Sequence, residues 1–532
     1  MLRLLPDHGS LPPVPLAPSA ATPPRWALWG SAASRTLERS AAAALPPHTL
    51  MQRAAQAVAR LARAWQPHAH QVLVLAGGGN NGGDGLAAAA LLHQTAPARK
   101  VAVWWLGDEN RLPDDARWAL AQARQAGVAF VCAAPAQPPD LVIDALFGLG
   151  LNRPVTGAAA AALAWLQQQE TPTLCVDLPS GLDADSGRWW SDAPPQPAGP
   201  RLTLTLLTLK PGLFTGLGRA ALGQELWFDD LGVNAPAPPP DAWLAAPSGW
   251  PHAQRLRADH ASHKGRRGDV LVLGGIPPAA HGGIGMTGAA LLAGRAALRA
   301  GAGRVWVGLP AAADQLPACD PVQPALMLRS AQAALAEGLL QRATVVAGCG
   351  AGSAMAELLP TLLHHAARLV LDADALNALA AAAGPTAHPW QAELGQRRAR
   401  GWLTVLTPHP LEAARLLDCS VHSVQNDRWA AARALAERLQ AIVVLKGSGT
   451  VIAAPDQTPW VAASGSGWLA TAGSGDVLAG LIGARLATLP ACAGPQATLQ
   501  AVAEAVCAHG TLPTEAAGTW PPTASDLLPA PR

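Results

Sequence analysis

Gln71-Val-Leu-Val-Leu-Ala-Gly-Gly-Gly-Asn-Asn-Gly-Gly-Asp-Gly85 runs an apolar hexad into a cluster of glycines, and an alanine-rich stretch opens at Leu86. The order is that of a strand, a glycine turn and the start of a helix. Glycine permits positive φ and close backbone approach to a ligand, and the free N–H groups of a helix N-terminus attract anions, so a phosphate cradle is the first expectation. Two adjacent amides and a carboxylate in the same loop require a further explanation, because an anion site needs backbone alone. The loop is not a P-loop, since the chain has no Gly-Lys pair to supply that motif's lysine, nor is it the G-x-G-x-x-G fingerprint in usable form.

Outward from this stretch, further strand-like runs occur at Lys100–Trp105, Leu141–Asp144, Thr173–Asp177 and Arg201–Leu209, separated by alanine-rich helical stretches. A second series follows at Asp269–Leu273, Arg304–Gly308, Thr344–Ala347, Arg368–Asp372, Leu403–Leu406 and Ala441–Leu445. Near-continuous apolar strands alternating with helices predict mostly parallel sheets covered on both faces, an α/β fold in two domains. The first domain is expected over 25–234 and the second over 252–520. Residues 235–251 are too proline-rich for helix or central strand and read as a linker, and residues 1–24 read as a flexible N-terminal segment.

With 532 residues, half of them hydrophobic, each domain can bury a substantial core. A charged fraction of 14% and a net charge of +2 leave no basic surplus for nucleic acid. No apolar run approaches the length of a membrane span. Seven cysteines without a C-x-x-C pair suggest reduced thiols, hence a soluble cytoplasmic protein. Only four of the 38 basic Lys and Arg residues are lysines, Lys100, Lys210, Lys264 and Lys446, and three of them lie beside glycine or proline turns.

In open parallel sheets ligands bind beyond the carboxyl ends of the strands, so the polar residues that close apolar strands are the ones to collect. In the first half these are the 77–85 loop, Asp144 with the following Ala-Leu-Phe-Gly-Leu-Gly-Leu-Asn-Arg-Pro154, and Asp177-Leu-Pro-Ser-Gly181. A carboxylate ending a buried strand must be paired, protonated or bound to a cation. Asn81, Asp144 and Ser180 offer hard oxygens to an alkali or alkaline-earth ion, although Asp144 and Asp177 can also be read as helix caps. In the second half, Ala472-Gly-Ser-Gly-Asp-Val-Leu478 is the sharpest signal. Glycines at a helix start place N–H donors around a transferring phosphoryl group, and Asp476 places a carboxylate beside an attacking hydroxyl. His409, between two prolines at a strand end, is a further candidate for substrate contact.

The strings GGGNNGGDG, DALFGLGLNRP and VDLPSGLDADSG, in this order over about residues 35–234, resemble the NAD(P)H-hydrate epimerase family, whose fold is a Rossmann-like αβα sandwich. By that resemblance Asn80, Asn81, Gly82, Gly83, Asp84, Gly148, Leu149, Gly150, Leu151, Asn152, Arg153, Pro154 and Asp177 bind hydrated NAD(P)H. Asn81, Asp144 and Ser180 hold one K⁺, and Asp177 is the acid/base. Over about residues 255–510, SHKGRRG, LDADALN, TPHPLE, LKGSGT and AGSGDVL are similar to the ADP-dependent NAD(P)H-hydrate dehydratase family, which is ribokinase-like. That likeness implies that Ala289, Gly352, His409 and Asp476 contact the hydrate. It also implies that Lys446, Gly447, Ser448, Gly449, Thr450 and Gly475 hold the nucleotide, that Mg²⁺ accompanies it, and that Asp476 is catalytic.

Together the two resemblances imply a bifunctional repair enzyme. Its first half would interconvert the R and S hydrates, and its second would restore NAD(P)H from the S form with ADP, releasing AMP and phosphate. Small molecules and no nucleic acid or membrane are the expected partners, and a homo-oligomer is the expected assembly. The competing reading is a ribokinase-like small-molecule kinase fused to a non-catalytic dinucleotide-binding or scaffold module. Departures from the family pattern are the longer stretch Ile-Pro-Pro-Ala-Ala-His-Gly-Gly-Ile284, Leu411 for a usual glycine and Ser474 for a usual threonine.

Overall fold

The computed structural model describes residues 1–5, 25–192, 195, 198–234, 237–245, 260, 263–278, 285–336, 338–381, 390–490, 492–515 and 521–529. The chain divides into two compact units; of the described residues, 1–5 and 26–243 belong to the first, and Arg25 and those from Leu244 onward to the second.

In the first unit an eight-stranded sheet has the order Leu2–Leu5, Glu225–Asp229, Arg201–Leu206, Thr173–Val176, Leu141–Ala145, Gln71–Ala76, Lys100–Trp105, Ala129–Val131. All neighbours are parallel except Leu2–Leu5, which runs antiparallel to Glu225–Asp229. Strand alternation feeds two cores. Val72, Val74 and Ala76 pack with helices Thr49–Trp65, Asn80–Thr95 and Asp114–Gln125, while Leu73 and Leu75 pack with helix Gly157–Gln168. Helices on both faces make the three-layer αβα sandwich. The order reverses between Gln71–Ala76 and Leu141–Ala145, so the crevice at their carboxyl ends is the topological switch point.

Three expectations change here. Residues 2–5 of the presumed flexible segment form an edge strand, and the rest of it, 6–24, lies outside the described residues. The glycine turn is shorter than its composition suggests, because the helix starts at Asn80 rather than Leu86 and none of the glycines from 77 to 85 has a positive φ. Close packing keeps several of them small instead: a Cβ on Gly82 would lie 1.8 Å from the Gly77 carbonyl oxygen, and one on Gly85 would lie 2.5 Å from Ala145 Cβ, whereas one on Gly79 would meet nothing within 4 Å.

In the second unit the sheet runs Met327–Ser330, Arg304–Leu309, Asp269–Leu273, Thr344–Ala347, Arg368–Leu371, Leu403–Leu406, Ile442–Leu445, Val451–Ala453, Trp460–Ala462. It is parallel up to Ile442–Leu445 and antiparallel in the last two strands. Helix Ser474–Ala487 crosses helix Thr287–Arg299 so tightly that a Cβ on Gly480 would lie 2.1 Å from the Ala293 carbonyl oxygen. Within the expected linker, Ala242–Ala245 is a largely buried strand, and the Ala245 carbonyl accepts from Ala463 N–H at 3.3 Å and Cys507 Sγ at 3.3 Å. Four residues free of proline suffice for a short strand between proline-rich flanks.

Candidate active sites

The switch point of the first unit opens into a cavity of about 510 Å³ whose walls include Ser34, Arg35, Glu38, Asn80, Asn81, Asp84, Gly148 and Asp177. Asp144 lies beneath it in a central strand, 1% exposed, and burial raises its carboxyl above the usual range. Its Oδ1 accepts from Ser180 Oγ at 2.6 Å and Leu146 N–H at 3.3 Å, and its Oδ2 accepts from Ser180 N–H at 2.9 Å. Beside this set, the Asn81 side-chain oxygen and nitrogen are buried and have no hydrogen-bond partner. A buried amide oxygen costs free energy unless something satisfies it, so Asn81 is the group here that asks for a ligand.

Asp177 follows its strand in the left-handed region, φ +63°, a strained setting for a non-glycine residue. Its Oδ1 accepts from Leu206 N–H at 3.2 Å, from Thr205 Oγ1 at 3.4 Å and from the buried Lys210 ammonium in a close ion pair. Lys210 also donates to Thr205 Oγ1 at 3.1 Å and to the Leu206 carbonyl at 2.6 Å. No described donor reaches Oδ2, which lies 3.3 Å from where a Gly148 Cβ would stand. One carboxylate oxygen is therefore anchored and the other is presented to the cavity. A Cβ at position 148 would also come within 3.2 Å of Asn81. Gly148→Ala should therefore slow any reaction that uses both groups by roughly tenfold or more through their misplacement, with the melting temperature changed little.

Of the residues expected to bind in this half, Asn80, Asn81, Asp84, Gly148, Leu149, Gly150, Leu151 and Asp177 line the cavity. Gly82 and Gly83 are buried inside the helix, and Asn152, Arg153 and Pro154 are exposed outside the cavity wall. In the sequence Lys210 stands out by lysine scarcity and its place before Pro211, and no motif marks Glu38.

In the second unit Asp476 occupies the first turn of helix Ser474–Ala487. Burial, aided by the nearby Asp372, pushes its carboxyl up to about 6, against a hydrogen bond from the Cys349 thiol. Asp372 is 1% exposed, and its Oδ1 accepts from Lys446 Nζ at 2.7 Å and Thr407 Oγ1 at 2.7 Å. Burial works against the Lys446 charge, but Asp372 and Glu412 more than offset it and raise the ammonium's proton affinity. The Lys446 ammonium lies 3.4 Å from where a Gly475 Cβ would stand, so it faces the same helix N-terminus as the glycine loop. Cation, N–H donors and carboxylate thus converge as phosphoryl transfer requires. Asp372, quoted within a motif but assigned no role there, proves to be the group that holds Lys446.

His409 caps helix Pro410–Leu417: Nδ1 accepts from Leu411 N–H at 3.1 Å and Glu412 N–H at 3.3 Å, and the Glu412 carboxylate accepts from His409 N–H at 2.8 Å. Burial lowers the imidazole's proton affinity and pushes Glu412 up to about 7. A neutral ring with Nδ1 accepting must carry its proton on Nε2, which lies 3.4 Å from Glu412 Oε1. Leu411 does not need glycine's freedom, since its φ is not positive and its N–H still reaches His409. The Ser474 hydroxyl lies 3.2 Å from Nε2 of buried His509, whose burial lowers it to about 4, so the serine has a neutral hydrogen-bonding partner. Ala289 lies near Gly350, Gly352 N–H donates to Asp374 at 2.8 Å, and on the turn after Lys446 Gly447 and Ser448 lie exposed while Gly449 and Thr450 are half-buried. Residues 279–284 of the lengthened stretch lie outside the described residues.

Two family descriptions match the chain: "YjeF-related protein N-terminus" over residues 47–212 and "NAD(P)H-hydrate dehydratase" over residues 280–528. The bifunctional NAD(P)H-hydrate repair enzyme of Escherichia coli (strain K12) is 33% identical over 478 residues, 86% of this chain and 85% of that one. The chain belongs to the bifunctional NAD(P)H-hydrate repair enzymes. Within that family's second half, the ADP-dependent (S)-NAD(P)H-hydrate dehydratase of Neisseria meningitidis is 42% identical over 247 residues, covering 45% of this chain and 75% of that one. A solved ADP/ATP-dependent NAD(P)H-hydrate dehydratase from Bacillus subtilis, co-crystallised with ATP and Mg²⁺, is 31% identical with a TM-score of 0.40, over 51% of this chain and 91% of that one. The architecture is thus two α/β units, each built on a mostly parallel sheet, in the order of the two matched family descriptions.

Proposed function

We propose that the first unit interconverts the R and S forms of hydrated NADH and NADPH, and that the second dehydrates the S form at the expense of ADP, giving NAD(P)H, AMP and phosphate. The observation that carries this reading is Asp177, with one oxygen locked by Lys210 and the other turned to the cavity. The hydrated C6 adjoins the ring nitrogen and so behaves as a hemiaminal carbon, which loses and regains hydroxyl configuration given a positioned proton carrier. In the second unit hydroxide is a poor leaving group, and phosphorylation converts it to phosphate, which leaves with push from the same nitrogen. Asp476 takes the hydroxyl proton, Lys446 and the amides around Gly475 hold the transferring group, and Asp372 keeps Lys446 in place.

The donor set of Asn81, Asp144 and Ser180 fits K⁺, whose charge would offset the buried carboxylate and whose coordination would satisfy the orphaned Asn81 oxygen. Mg²⁺ would be held by the Asp372 and Asp476 carboxylates, whose oxygens lie within 4.8 Å of each other, and would supply charge neutralisation to the phosphoryl transfer. K⁺ in place of Na⁺ should raise the melting temperature of the wild type, since a ligand bound at 100 times its Kd adds about 2.7 kcal/mol. Asp144→Asn should abolish the difference between the two salts. Equal melting in both salts would remove the K⁺ assignment. No described helix is long and apolar enough to cross a membrane, and the cysteines are free, which favours a reducing cytoplasmic setting.

The deciding experiment supplies purified protein with mixed R and S NADH hydrates, ADP and Mg²⁺, and follows NADH absorbance. Conversion of both epimers is the expected result. Conversion of the S form alone leaves the first unit without its activity, and none with any nucleotide overturns the proposal.

A further inference from the structure

Inverting a hydroxyl at C6 takes proton chemistry on both faces of the ring. Oxygen leaves from one face as water, and oxygen arrives at the other from water, so a departing group needs a proton while an incoming one gives a proton up. Asp177 has one free oxygen and serves one of these events.

A second carboxyl group lines the same cavity from a different element. Helix Ser31–Ala43 presents Ser34, Arg35 and Glu38 to it, with Ser34 and Glu38 one turn apart on one face. The helix is pinned where the chemistry lies: Ser34 Oγ bonds to Thr208 Oγ1 at 2.7 Å, two residues from Lys210, and Arg35 donates to the Leu149 carbonyl at 2.9 Å. Glu38 Oε1 accepts from Asn80 Nδ2 at 3.2 Å, which ties it to the first residue of the helix carrying Asn81 and Asp84.

We propose that Glu38 is the second acid/base group of the epimerisation, giving its proton to the departing hydroxyl while Asp177 receives the proton of the incoming water. This rests on the epimerase reading above. The C6–O bond breaks as the ring-nitrogen lone pair forms a C6=N iminium and water leaves. A second water adds to the opposite face, its proton passes to Asp177 Oδ2, and the iminium electron pair returns to nitrogen. One water is lost and one gained, and a proton passing from Asp177 back to Glu38 through cavity water resets the pair. The reverse inversion exchanges the two roles.

The surroundings suit this division. The charged groups facing Glu38 are Asp177, Asp84 and Asp115, with Lys210 and the neighbouring Arg35. Lys210 is spent on Asp177, and no described cation pairs with Glu38. Burial raises the Glu38 carboxyl, against the Asn80 hydrogen bond and with added repulsion from Asp177. Two carboxyl groups in one cavity, one anchored by the Lys210 ammonium and one raised by burial with no described cation beside it, are the pattern of a paired base and acid.

The test uses the full chain, R-NADH hydrate without nucleotide and water enriched in ¹⁸O, with inversion followed chromatographically and label by mass. Wild type is expected to take up one ¹⁸O per inversion. Glu38→Gln retains an acceptor for Asn80 and should lose about 10²-fold or more in kcat for inversion and label uptake together, with KM little changed. Glu38→Asp should retain part of the rate with an altered alkaline limb of the pH profile. Melting temperature and dehydration of S hydrate monitor folding, and if the glutamine variant is unfolded the aspartate pH profile decides. Inversion by Glu38→Gln within threefold of wild type, a loss confined to KM, or inversion without label overturns the proposal. A wild type that does not invert, or an unimpaired Asp177→Asn, overturns the epimerase reading itself and is seen without any change at Glu38.

Discussion

Asp476→Asn is expected to remove dehydration of the S hydrate, lowering kcat by about 10²- to 10⁴-fold, while R/S interconversion continues. Asparagine fills the same space in the first turn of helix Ser474–Ala487 but accepts no proton, so the hydroxyl of the hydrate stays a poor nucleophile toward the nucleotide. The pH dependence follows from the carboxyl's position at about 6, set by burial and by Asp372. Asp476 is ionised and active above that value and protonated below it, so the dehydration rate falls as the pH drops through 6. The same shift has a stability consequence. A carboxyl raised on folding favours the native state below its unfolded pKa, and that advantage disappears as the pH rises through the folded value. At pH 8 Asp476→Asn should therefore melt higher than wild type. NADH absorbance with pure S hydrate, ADP and Mg²⁺, paired with thermal melts, measures both, and dehydration within tenfold of wild type would remove Asp476 from the base role.

Asp177→Asn is expected to do the reverse: epimerisation falls about 10²-fold or more, and dehydration of S hydrate proceeds at the wild-type rate. Two losses combine. The amide offers no base at the position of Oδ2, and Lys210, 1% exposed, is left with a buried charge that only neutral partners meet. Melting of the first unit should drop for that reason, and Asp177→Asn with Lys210→Met should recover stability without recovering activity. Given mixed hydrates, the single variant should stop when the S form is consumed. Continued conversion of the R form faster than its spontaneous inversion would contradict the assignment, as would loss of both activities with folding intact.

The eleven strand-like runs read from the chain all occur in the structure, and the switch point of the first unit lies where the 77–85 loop follows Gln71–Ala76 and where Asp144 stands near the end of its strand. The strands that escaped, among them Leu2–Leu5, Ala129–Val131, Met327–Ser330, Val451–Ala453 and Trp460–Ala462, are short or lie toward sheet edges. Ala129–Val131 and Met327–Ser330 hold no buried residue, and Val451–Ala453 and Trp460–Ala462 are buried but only three residues long, so none carries the long continuous apolar run that marks a central strand. The glycines of 77–85 were legible as a functional loop for the wrong local reason: the demand is close packing against Gly77 and Ala145, not positive φ.

By itself the amino-acid sequence determined the two α/β halves, the strand-end carboxylates Asp144, Asp177 and Asp372, and the helix-start carboxylate Asp476, because each is written in the periodicity or motif of adjacent residues. Only the tertiary structure decided that Lys210 takes one oxygen of Asp177, that Lys446 is held by Asp372, that Asn81 is buried without a partner, and that Glu38 enters the same cavity as Asp177. Those partners lie tens of residues or more apart, and the sheet order brings them together at the ends of parallel strands. No local pattern records it, since a crossover connection places a side chain by the path of the whole layer rather than by its neighbours in the chain.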